Sequence, residues 1–261
     1  MNKTIRFFLI FILGFSIYYF FDLYSFKTIQ NFVKETTGSK AIAHATAYVI
    51  TLIPLLITQK ILAPEKKITF LLSLDKSILK GGFIAFIGTL PMLIGYLYFF
   101  NIVQKVDVQS LFINTISSAF FEEIIFRAFL IGTLFRLTRL GFISALLFGS
   151  LLFAQAHLYQ SNDTTELIEI FLITFLGSAL FSWVYIETDF NLWTAIFLHF
   201  FMNIYWEIFN VAENVSGNWY GNVFKALSVL LIIALSIYRK QKGKTTFQIT
   251  AKNLFIKTEL S

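Results

Sequence analysis

The sequence predicts an all-α polytopic integral membrane protein, a helical bundle of about eight transmembrane helices. Three observations carry this prediction. Apolar residues make up 57% of the 261 positions and charged residues only 14%, whereas a water-soluble domain carries about 25% charged residues. Apolar runs close to 20 residues, the length that crosses a hydrocarbon core, recur along the chain. No segment alternates apolar and polar residues as a barrel strand does, and only helices or closed barrels satisfy the backbone in lipid.

The runs fall at about 5–24, 41–59, 81–100, 111–137, 141–157, 166–186, 191–209 and 222–238. Lys3 and Arg6 precede the first run, which ends in Phe-Asp-Leu-Tyr-Ser-Phe. The small residues of a signal-peptide cleavage site are missing there, so the first run is expected to stay as a helix. Basic residues gather in alternate connections: Lys60, Lys66, Lys67, Lys76 and Lys80, then Arg136 and Arg139, then a tail from Arg239 to Lys257. The opposite connections hold only Lys27, Lys34, Lys40, Lys105 and Lys225. Positive charge marks the cytoplasmic side, which predicts an even number of spans with both termini cytoplasmic. Compactness and the missing targeting segment point to a prokaryotic cell membrane.

The chain divides into N-terminal helices over 1–110, a polar-motif core over 111–210, and a last helix with a basic tail over 211–261. The tail is expected to lie on the inner leaflet or to be disordered. Pro54 and Pro91 are expected to kink their helices. Gly177, Ser178 and Ala179 form a small patch suited to close helix approach, and the four tryptophans suit the membrane interface.

With no cysteine in the chain, disulfides, thiolate zinc sites and cysteine nucleophiles are excluded. The net charge of +6 sits at helix ends and in loops rather than in a continuous basic stripe, so no nucleic-acid partner is expected. The expected partners are the bilayer and a peptide or membrane-protein substrate.

Ionisable groups inside a membrane are costly and point to function. The fourth run contains Glu122-Glu123-Ile-Ile-Phe-Arg127, the fifth ends in Phe153-Ala-Gln-Ala-His157, and the seventh contains His199-Phe-Phe-Met-Asn203. Residues four apart share a helix face while neighbours point about 100° apart. Glu123 and Arg127 are therefore set for a structural ion pair, which leaves Glu122 free for chemistry. By the same spacing His199 and Asn203 stand side by side. His44 reads as packing or an interhelical hydrogen bond, and Glu166, Glu169, Glu187 and Asp189 as solvated helix ends.

Glu-Glu-x-x-x-Arg, Phe-x-x-x-His and His-x-x-x-Asn, in this order on separate apolar helices, resemble the motifs of the CAAX protease and bacteriocin-processing (CPBP, or Abi) family. That family includes the Rce1-type prenyl-protein proteases. The resemblance covers about 115–209 and implies an intramembrane endopeptidase. It implies that Glu122 is the general base for a water that His157 helps to position. It further implies that His199 and Asn203 stabilise the oxyanion.

Hydrolysis needs a base and donors where charge develops, which agrees with these residue types. Glu122, His157 and His199 would also be the ligands of a zinc ion, were one present. The His-Glu-x-x-His zinc motif is absent, and no cofactor is assigned. Two further readings use the same residues: a non-catalytic immunity or scaffold protein, and a proton-coupled transporter. The lack of an inverted repeat counts against transport.

Overall fold

The computed structural model describes residues 2–258. Among them the secondary structure is helical, with one isolated bridge between Leu140 and Ile256. The main helices are α1 (Lys3–Thr37), α2 (Lys40–Leu62), α3 (Ile78–Phe99), α4 (a helical run over 108–137), α5 (Phe142–Ala156), α6 (Thr164–Glu187), α7 (Leu192–Ile208) and α8 (Trp219–Lys242).

Six helices are long and apolar enough to cross a membrane: Lys3–Thr37, Lys40–Leu62, Ile78–Phe99, Phe142–Gln160, Thr164–Glu187 and Trp219–Lys242. The remaining two of the expected eight, α4 and α7, carry the Glu-Glu-x-x-x-Arg and His-x-x-x-Asn motifs and are not among these six, so the structure supports six spans by length and composition rather than eight. At 17 residues α7 is short, and α4 changes its winding twice, with π-helical turns at Phe112–Ser117 and Ile124–Thr133.

Local chemistry sets the ends. Asn2 accepts from the Thr4 amide at the start of α1, and Gly38 closes it in the left-handed region at φ 68°. Ser39 then caps α2. At about 1.5 Å per residue α1 is about 50 Å long, well beyond a hydrocarbon core of about 30 Å. Leu52 interrupts the helical winding of α2, and Pro54 opens its second half. Pro91 lies inside α3 without breaking it, and the amide of the next residue, Met92, donates to Ser228 Oγ of α8 at 3.1 Å. Gly88 and Gly95 let α8 approach α3: a Cβ on Gly88 would stand 2.7 Å from Ile232 Cδ1, and one on Gly95 2.2 Å from Phe224 Cδ1.

Buried α4 forms the axis of the bundle, with Ala128, Phe129, Leu130 and Ile131 fully enclosed. Phe11 of α1 stacks on Phe129 at 5.1 Å. Before α4, Asp107 caps its first turn, and its carboxyl is held below the usual range by the Ser110 hydroxyl and the Ser110 and Gln109 amides. A depressed carboxyl pKa stabilises the fold above the unfolded pKa and loses that contribution as pH falls through the folded one. Gln109 accepts from the Lys40 amide at 2.6 Å, so the starts of α2 and α4 are tied together.

Three expectations are corrected. Gly177 has open space where its Cβ would stand, so it is no close-approach point. The helix contact is made by its neighbour, Ser178, whose hydroxyl accepts from Ser150 of α5 at 2.8 Å. Glu187 is buried rather than solvated, accepting the Gln248 and Ile249 amides at 3.0 and 2.8 Å beside Lys240 at 3.3 Å. The basic tail is ordered against the protein: Gly141, Ile143 and Ser144 donate to Phe255 or Leu254 carbonyls, and Lys257 Nζ donates to the Phe135 carbonyl. Amides of an extended segment need acceptors once buried, and Glu187 supplies two. Glu187→Ala is expected to lower stability by about 3 kcal/mol, the scale for breaking a buried pair. Thermal unfolding in detergent and faster proteolysis of the tail would register the loss.

Candidate active site

Glu122 and Glu123 stand where α4 passes from the α-helical stretch Ser118–Glu123 into the π-helical stretch Ile124–Thr133. Wider winding of this kind is frequent at functional sites. As consecutive helical residues the two carboxylates diverge, and their surroundings differ accordingly.

Glu123 and Arg127 are fully buried, with Arg127 Nη1 3.0 Å from Glu123 Oε1. The guanidinium N–H groups are not directed into hydrogen bonds. The contact is therefore electrostatic, strengthened by the low dielectric around it. The guanidinium also lies over the rings of Phe153, at 4.4 Å, and Phe181, at 5.4 Å, a cation–π arrangement. Glu123 has a second partner that helical spacing along α4 could not reveal: His199 Nδ1 of α7 lies 2.9 Å from the same Oε1. The ion pair is therefore also the anchor of a site histidine.

With Nδ1 held by Glu123, His199 turns Nε2 toward Glu122, whose Oε2 lies 4.0 Å away. That is too long for a direct hydrogen bond. Glu122 Oε2 has no hydrogen-bond partner in the protein. Tyr18 of α1, Tyr48 of α2 and Tyr159 after α5 are near enough to sense the Glu122 charge. Tyr48 also stacks on Phe121, ring centroids 4.8 Å apart. Through Tyr48, α2 packs beside the stretch of α4 that carries the carboxylate.

His157 caps the C-terminal end of α5, and its Nδ1 bonds the Phe153 carbonyl at 2.8 Å, leaving Nε2 available. It makes no hydrogen bond or ion pair with Glu122. The link to the cluster is the Phe153 ring, 4.4 Å from the His157 ring and 6.4 Å from His199. Asn203 follows His199 by one turn, but its Nδ2 donates to the Asn114 carbonyl at 2.8 Å. Glu122, Glu123, Arg127 and His199 are therefore in one cluster, with His157 and Asn203 at its border.

Two groups escaped sequence reasoning. Asp22 lies inside α1 with a buried, unpartnered Oδ1, beside the Thr51 hydroxyl. A lone carboxylate in an apolar run was the signal available. Glu207, one turn beyond Asn203, accepts from Asn114 Nδ2 at 3.0 Å, and it repeats the His199–Asn203 spacing. His44 donates to or accepts from Ser117 Oγ at 2.9 Å, an interhelical bond from α2 to α4.

The zinc set does not assemble. Among the described residues no three His, Asp or Glu side chains converge in a metal-ligating group. His157 makes no hydrogen bond or ion pair with Glu122, so Glu122, His157 and His199 are not gathered into a three-ligand zinc set, although Glu123 on Nδ1 leaves His199 Nε2 open.

The model of a family described as type II CAAX prenyl endopeptidase Rce1-like matches residues 104–205. The matched segment runs from just before α4 to the last turn of α7 and contains Glu122, Glu123, Arg127, His157, His199 and Asn203. Comparison with curated proteins and with solved structures gives no match.

Proposed function

We propose that this chain, whose 104–205 segment matches the Rce1-like family model, is a CPBP-type intramembrane endopeptidase acting on a membrane-associated peptide or protein. The family match supports a CAAX-protease type of activity. The observation that carries the reading to particular residues is the 4.0 Å space between the unpartnered Glu122 Oε2 and His199 Nε2. A water bridging both atoms would complete the hydrogen bonding of each.

Glu122 accepts a proton from this water as its oxygen attacks the substrate carbonyl carbon. Charge moves to the carbonyl oxygen. His199 Nε2, when it carries its proton, and the Asn203 amide are the donors on that side. Collapse breaks the carbon–nitrogen bond, and the proton held by Glu122 passes to the leaving amine, so a carboxylate and an amine are released. Glu123 holds the His199 ring in register through Nδ1, and Arg127 holds Glu123 in place. His157, with Nδ1 fixed on Phe153, keeps Nε2 available to help position the water. Basic residues in alternate connections support cytoplasmic termini.

The test is hydrolysis in proteoliposomes, with a farnesylated Cys-aliphatic-aliphatic-X peptide and the same peptide without the prenyl group. Wild type is expected to release product that Glu122→Gln does not. Chelators are expected to leave the rate unchanged. Equal product from both proteins would remove the protease reading. Loss of activity together with stoichiometric zinc would replace the metal-free mechanism. A peptide bound but never cut would favour the non-catalytic scaffold.

A further inference from the structure

His199, Asn203 and Glu207 recur every four residues on α7 and so form one stripe on its surface. Each meets α4: His199 at Glu123, Asn203 at the Asn114 carbonyl and Glu207 at the Asn114 side chain. Two of these three contacts converge on one residue, Asn114, which lies in the π-helical turn Phe112–Ser117.

In that turn the carbonyls are not governed by an α-helical ladder. Hydroxyls take up neighbouring ones, Thr115 Oγ on Leu111 O at 2.7 Å and Ser118 Oγ on Ile113 O at 2.8 Å. The Asn114 carbonyl receives Asn203 Nδ2 at 2.8 Å, while Asn114 Nδ2 donates to Glu207 Oε1 at 3.0 Å. Glu207 thereby holds the residue that holds Asn203. The acceptor is a carboxylate, which makes the bond a charge-assisted one.

We propose that Asn114 and Glu207 are positioning residues for Asn203, fixing the plane of its carboxamide beside His199. One Nδ2 hydrogen is committed to the Asn114 carbonyl, which sets the direction of the other. That second N–H is the donor offered to the oxyanion, so the clamp acts on the transition state rather than on substrate binding. The inference rests on the protease reading and deepens it. Glu207 lies beyond the 104–205 segment matched by the family model.

The experiment measures kcat and KM on whichever of the two peptides wild type cleaves, in proteoliposomes. It compares wild type, Glu207→Ala, Glu207→Gln, Asn203→Ala and the Asn203→Ala/Glu207→Ala pair. Glu207→Ala is expected to lower kcat by about tenfold, one lost hydrogen bond to a charged group, with KM unchanged. Glu207→Gln keeps an Oε1 acceptor and is expected to retain most of the rate. In the Asn203→Ala background Glu207→Ala is expected to add nothing, since the two act as one unit.

Equal losses for the alanine and glutamine variants, or full additivity with Asn203→Ala, would overturn the proposal. Full activity of Asn203→Ala would instead remove the oxyanion role from Asn203. If wild type cuts neither peptide, amide hydrogen exchange over 112–118 decides about the clamp itself. Glu207→Ala then speeds exchange in that segment and Glu207→Gln does not, whereas identical exchange in all three proteins sinks it.

Discussion

Glu122→Gln is expected to reduce kcat by a factor of about 10² to 10⁴, the range for loss of a general base, with no fall in thermal stability. The two halves of this expectation have separate origins. The amide cannot take a proton from water at neutral pH, so the first step fails. Stability is spared because Glu122 Oε2 has no hydrogen-bond partner to lose, and the change removes a carboxylate that sits near three tyrosines. Peptide hydrolysis and the unfolding midpoint in the same detergent read the two halves together. A variant that loses activity and stability in parallel would make Glu122 a structural residue.

Arg127→Met is expected to destabilise the bundle by about 3–5 kcal/mol, the consequence of leaving a buried charge without its partner. Arg127 and Glu123 are both fully enclosed, 3.0 Å apart. Methionine fills a similar volume, so the loss is electrostatic more than a matter of packing. Adding Glu123→Gln to Arg127→Met removes the orphaned charge and is expected to recover a large part of the stability. Activity is not expected to return, because Glu123 also holds His199 Nδ1 at 2.9 Å. The thermal midpoints of the two single variants and the pair measure the coupling. A wild-type midpoint for Arg127→Met would show that the pair contributes nothing.

The membrane bundle could be read from the chain because hydrophobic run length is a local property. It needs only the composition of consecutive residues and the thickness of a bilayer. Contacts within a single helix were legible for a related reason: the Glu123–Arg127 spacing is set by helical geometry. Interhelical contacts were not. No pattern along α4 says that Glu123 will meet His199, which lies 76 residues away, or that Glu187 will be buried under a tail expected on the leaflet. The tail is short, polar and basic, a composition that usually stays in water. Its docking depends on acceptors provided by α4 and α6 and on donors at the start of α5.

By itself, then, the sequence determined that this is a helical membrane protein. It also singled out six polar residues on apolar helices as the proposed site: Glu122, Glu123, Arg127, His157, His199 and Asn203. Their grouping was decided by tertiary structure alone. Glu122, Glu123, Arg127 and His199 share one buried cluster, His157 is joined to it through the Phe153 ring, and Asn203 is held at its edge by Asn114. The physical reason is that a helix repeats every 3.6 residues whatever it packs against. Its sequence fixes the face on which a side chain stands, but the partner across that face is chosen only when the helices assemble.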